Sequence, residues 1–91
     1  MRIRWSSKAS DDLLRLHNFL ILLNAAAAAR ATARLARAPE QLLRMPRQGE
    51  RLEAFAPREV RRLLVDAYEI QYELVHEEIL ILRIWHTREN R

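Results

Sequence analysis

The period of the hydrophobic positions changes as the chain is read. Met1–Ser6 alternates, with Ile3 and Trp5 on one side and Arg2 and Arg4 on the other. That pattern predicts a short strand with one buried face. From Ser7 the period lengthens. Ala9, Leu13, Leu16, Leu20 and Leu23 recur at spacings of four, three, four and three, widened by Phe19. This is one helical stripe, so a helix is predicted over Ser7–Leu23, with Ser7 as its N-cap. Asp11 and Asp12 lie early enough to favour the positive end of its dipole. Asn24 offers the next N-cap, and Ala25–Ala38 is almost pure helix former. Two such helices joined by a short link form an antiparallel hairpin. Pro39 is expected to open one further turn, Pro39–Met45, and Pro46 and Gly49 end the helical region.

Beyond Arg51 the period falls to two. Val60–Val65 reads as a strand, Asp66-Ala67 as a tight turn, and Tyr68–Leu74 as a strand with one wet face. His76-Glu77-Glu78 turns the chain again. Ile79–Trp85 is nearly continuous apolar with only Arg83 inside, as expected of a strand covered on both sides. The order is β-α-α-β-β-β in a single domain, residues 1–91, with room for one extra short strand near Leu52–Phe55. Leu13, Leu14, Leu22 and Leu42 cannot all face one core, so some apolar surface should remain uncovered for a partner.

Composition narrows the function. A chain of 10.8 kDa buries about 65% of its unfolded surface, enough for one modest core. There is no cysteine, which excludes disulfide scaffolds and thiolate metal sites. The single glycine excludes a Gly-rich phosphate loop. His17, His76 and His86 lack metal-site spacing, so no metal or cofactor is expected. His17 reads as a helix-surface residue and His76 as a turn residue. Phe19–Ala29 is apolar but too short to span a bilayer and is interrupted by Asn24. A cytoplasmic protein with no membrane contact is expected. Fifteen of the 16 basic residues are arginine. Residues 1–63 carry 13 basic and 6 acidic groups, giving +7, and residues 64–91 carry 3 and 6, giving −3. Such asymmetry suits an acidic or polyanionic partner.

Four segments in this order resemble the RelE/ParE family of type II toxins. They are Trp5-Ser6-Ser7-Lys8-Ala9-Ser10-Asp11-Asp12-Leu13; Asn24 and the Ala/Arg helix ending in Met45-Pro46-Arg47-Gln48-Gly49; Tyr68-Glu69-Ile70-Gln71-Tyr72-Glu73-Leu74; and Ile81-Leu82-Arg83-Ile84-Trp85-His86-Thr87-Arg88. The resemblance implies an α+β fold, a helical hairpin packed on a small antiparallel sheet with the first strand beside the last. The last strand would then lie inside the sheet and deliver its terminal groups to an open rim. It also implies a cognate antitoxin, a higher-order toxin–antitoxin complex, and one of two targets. ParE-like members bind DNA gyrase; RelE-like members cut mRNA on the ribosome.

The residues favour the ParE-like branch. RelE-like nucleases typically carry an arginine directly after the first aromatic of the Tyr68–Leu74 strand, where this chain has Glu69. They tend to place two basic residues two apart on the preceding strand; those positions fall at Val60 and Arg62. No late tyrosine follows the last strand. A ribonuclease would use His86 as base and Arg88 as charge stabiliser. A binding toxin would use Arg83, His86, Arg88 and Arg91 against its target. A non-enzymatic degenerate toxin or binding module is the third possibility. Leu14, Leu22, Arg30, Arg34 and Arg37 are the expected antitoxin contacts. Arg83 could instead cover Trp85 by stacking, on a strand face shared with Ile81. Arg61 and Arg62 should point to opposite faces.

Overall fold

The computed structural model describes residues 1–89. Its order is β1 (Arg2–Trp5), α1 (Ser7–Ile21), α2 (Ala25–Arg37), β2 (Glu50–Arg51), β3 (Glu59–Val65), β4 (Tyr68–Val75) and β5 (Glu78–His86), with 3-10 turns at Ala38–Leu43 and Glu53–Phe55. The sheet order is β1-β5-β4-β3-β2. The strand after Gly49 is therefore Glu50–Arg51, and the segment expected near Leu52–Phe55 is largely a 3-10 turn. The last strand lies inside the sheet as expected, between β1 and β4. β1 runs parallel to β5 while the other pairs are antiparallel, so the sheet is mixed. A parallel neighbour requires a long crossover, and everything between the first and last strands supplies it.

Local chemistry explains the element ends. Ser6, one residue earlier than predicted, caps α1: its Oγ accepts the Ala9 N–H at 3.0 Å and donates to the Leu82 carbonyl at 2.9 Å. One hydroxyl thus closes the helix and ties it to β5. Asn24 caps α2 through the Ala27 N–H at 2.9 Å. Both hairpins use two-residue loops whose first residue has positive φ, Asp66 and His76, each at 55°. Asp and His are among the residues most tolerant of that region.

The core lies between the hairpin and one face of the sheet. Leu16, Leu35 and Leu42 meet Leu63, Val65, Ile70, Tyr72, Ile79, Ile81 and Ile84. Tyr72 is fully buried, and its hydroxyl donates to the Pro46 carbonyl at 2.7 Å and accepts the Gly49 N–H at 2.9 Å. Tyr72 thus fastens the Met45–Gly49 loop. Burial pushes its hydroxyl above the usual tyrosine range. A Cβ on Gly49 would stand 2.6 Å from the Arg62 carbonyl oxygen and 2.8 Å from the Tyr72 hydroxyl, so only glycine fits.

The β4–β5 register slips between Gln71 and Tyr72, leaving Leu82 as an extra residue opposite them. This bulge overturns two expectations. Ile79, Ile81 and Ile84 are buried, but Leu80, Leu82 and Trp85 are half-buried, so β5 is not covered equally on both faces. Arg83 also no longer shares a face with Ile81. It joins Trp85 on the other side, where its guanidinium lies 5.1 Å from the indole centroid. The four leucines divide as anticipated. Leu13 and Leu42 pack on the core, while Leu14 and Leu22 are exposed, Leu22 by 83%. Among the described residues no helix is long and apolar enough to cross a membrane.

Candidate functional site

The sequence-predicted cluster at the end of β5 divides in the structure. Arg83 is committed to the fold. Its guanidinium donates to both Asp12 oxygens, at 2.8 and 3.1 Å. The Ile84 N–H adds a bond at 2.9 Å, and Arg15 approaches at 3.4 Å. Asp12 is only 4% exposed. Burial alone would push its carboxyl up, but the Arg83 and Ile84 hydrogen bonds and the Arg83 charge outweigh it and hold it below its ordinary value. Asp12 is therefore not a helix-dipole residue at the surface, as its position suggested. It stitches α1 to the bulged strand.

His86 projects to the helix side of the sheet, like Ile84 two residues before it. Its ring meets Tyr68 edge-on, with centroids 5.3 Å apart. Its Nδ1 accepts the Arg88 backbone N–H at 3.1 Å. A neutral imidazole has one acceptor nitrogen and one N–H, so the proton sits on Nε2. The ring thus presents a donor to its surroundings. Glu89 closes the turn: its Oε1 accepts the His86 N–H at 2.7 Å, and its Oε2 pairs with Arg15 on α1. Arg88 stands exposed at the rim with no acidic partner among the described residues. Arg91 lies outside the described residues.

Below this rim runs a groove of about 470 Å³. Leu16, Phe19, Leu20 and Tyr68 form its floor, and Arg15, His86, Arg88 and Glu89 its walls. Sequence reasoning did not single out Phe19, Leu20, Tyr68 or Arg15 as site residues. Phe19, expected to widen the buried stripe, is instead 60% exposed. Burial, then the Asp66 and Glu89 charges, push the Tyr68 hydroxyl up, so it remains protonated.

Of the three strand positions a nuclease would use, Arg62 alone is basic, and this second sheet face is not wet along β4 as expected, since Glu69 and Glu73 are both buried. Glu69 is 4% exposed, with Arg62 at 3.7 Å, and Val60 is fully buried. Glu73 is held bidentately by Arg58 at 2.9 and 3.1 Å. Arg61 and Arg62 divide as expected. Arg61 bonds Glu59 and the Gly49 carbonyl, and Arg62 bonds Glu50. Most arginines are tied in this way. Arg34 grips Asp66 at 2.7 and 3.2 Å, whereas Arg30, Arg37 and Arg44 find no acidic partner among the described residues. No cluster of metal-ligating side chains occurs among the described residues.

A helical hairpin on a five-strand mixed sheet, with the first strand beside the last, defines the ParE-like class of α+β proteins. Residues 3–91 match the family described as the ParE toxin of the type II toxin–antitoxin system, parDE, and the chain belongs to that family. It is similar to a solved chain from the chromosomal ParDE toxin–antitoxin system of P. aeruginosa. The two share 25% identity with a TM-score of 0.80, over 94% of this chain and 95% of that one. No curated protein matches it significantly. The fold and the ParE branch of the RelE/ParE resemblance are thereby shown.

Proposed function

We propose that this type II toxin acts in the cytoplasm by binding DNA gyrase, with no bond-making chemistry of its own, and that a cognate antitoxin neutralises it. The observation that carries this reading is the state of the nuclease positions. Metal-free RNA cleavage needs a base for the 2′-hydroxyl and cations for the developing phosphorane charge. His86 holds its acceptor nitrogen on the Arg88 amide, and a buried carboxylate, Glu69, replaces the expected arginine. What remains at the rim is a recognition surface formed by Arg88, the Nε2–H of His86 and the apolar groove, with Arg91 following in sequence. Arg83 supports this surface from within.

The antitoxin is assigned to the exposed hairpin, where Leu14 and Leu22 supply apolar contact. Arg30 and Arg37, which have no acidic partner among the described residues, supply charge, and Arg34 joins them only if it releases Asp66. A higher-order complex with the antitoxin is part of the same proposal. Purified toxin added to gyrase and relaxed plasmid should stop supercoiling or trap cleaved DNA, and antitoxin should reverse the effect. Unaltered supercoiling at a large molar excess of toxin would overturn the gyrase assignment.

A further inference from the structure

We infer that the groove between α1 and the end of β5 receives an apolar side chain of a partner protein that carries a neighbouring carboxylate, with Arg88 taking the carboxylate. This deepens the binding reading above and rests on it only for the partner's name. Three features support the occupant. The floor is apolar and partly aromatic, from Leu16, Phe19, Leu20 and Tyr68, so it takes hydrocarbon or a ring. Its volume of about 470 Å³ falls in the range of sites that enclose a small group. The charge at the mouth is asymmetric. Arg15 is already held by Asp12 and Glu89, while Arg88 has no acidic partner among the described residues, leaving one guanidinium for one carboxylate.

A nucleic acid is the poorer occupant. Backbone binding needs several cations along a track, and of the two guanidiniums here Arg15 is already paired and only Arg88 lacks an acidic partner among the described residues, with the Glu89 carboxylate in the wall. The exposure of Phe19, at 60%, also has a reason under this assignment. A partner ring or aliphatic group would cover it, as the central apolar anchor of an interface is covered.

The test uses the full chain and two peptide probes, acetyl-Ala-Phe-Asp-Ala-amide and its Asn counterpart, followed by amide NMR. The Asp peptide should shift Phe19, Leu20, Tyr68 and His86 and bind about three-fold more tightly than the Asn peptide. Arg88→Ala should remove that preference while retaining weak binding, and Phe19→Ser should abolish binding by both. Leu64→Ser, an exposed apolar change on the opposite sheet face, should bind as wild type. Urea midpoints establish that each variant is folded. Equal affinity for the two peptides, or shifts outside the groove, would overturn the proposal. So would a single-stranded DNA oligonucleotide that shifts the groove residues where the peptides do not. These readouts do not involve gyrase, so a failed supercoiling assay and a failed groove are separate results.

Discussion

Removing the Asp12 carboxylate should destabilise the fold more than any other single change at its charged positions. Asp12 receives four donors: two from Arg83, the Ile84 N–H and Arg15. Taking one partner from a buried ion pair costs about 3–5 kcal/mol when the other charge stays buried. Here the Arg83 side chain is 37% exposed and rests on Trp85, so part of its charge regains water. Asp12→Ala is therefore expected to cost about 2–3 kcal/mol, including the orphaned Ile84 N–H. Asp12→Asn keeps an oxygen for Ile84 but loses the charge and turns an NH2 towards the Arg83 and Arg15 donors, for about 1–2 kcal/mol. With a urea slope of about 1 kcal/mol per molar, the Ala midpoint should fall by about 2–3 M. The sign with pH follows from the lowered carboxyl. Its contribution is complete above the unfolded value and is lost as pH falls through the folded one. The gap between wild type and Asp12→Asn should therefore close below about pH 4. A loss under about 0.5 kcal/mol for Asp12→Ala, the level of an ordinary surface change, would refute the reasoning.

Tyr72→Phe keeps the ring and strands the Gly49 N–H and the Pro46 carbonyl. It should cost about 1–3 kcal/mol by chemical denaturation and increase proteolysis of the Met45–Gly49 loop. Gly49→Ala should be at least as damaging, because its Cβ meets backbone that cannot give way; a neutral result would show that the loop is not fixed. His76→Gly relieves a positive φ in an exposed turn and should raise the urea midpoint by the equivalent of about 0.5 kcal/mol. Leu22→Ser, at the exposed hairpin tip, should leave stability within about 0.5 kcal/mol and raise the solubility of the toxin alone.

The sequence revealed what depends on period and on local chemistry. The strand over Tyr68–Leu74, the helical stripe from Ala9 to Leu20 and the Asn24 cap appear where their spacing put them, but Leu23, expected on the stripe, lies past the end of α1 and is 71% exposed. What escaped was set by contacts distant in sequence. The bulge at Leu82 has no local signature, yet it decides on which face Arg83 lies. Asp12 read as a helix-dipole group because its real partners, Arg83 and Ile84, lie more than 70 positions away. The groove was missed for a similar reason. Phe19 and Tyr68 belong to different periodic patterns, and only the docking of α1 on the sheet brings them together in one floor. His86 and Arg88 were identified by type, but the hydrogen bond between them, which sets the imidazole tautomer, depends on the tight turn after β5.

The parallel pairing of β1 with β5 has a consequence for how the molecule comes into being. The first strand synthesised can pair only with the last, so while the ribosome works it has no neighbour. Sheet closure, the Asp12 attachment and the rim groove all wait for β5 and the turn after it. A chain interrupted before β5 lacks an internal strand rather than an edge. Without β5 the sheet cannot close on β1, and the groove at its rim cannot form.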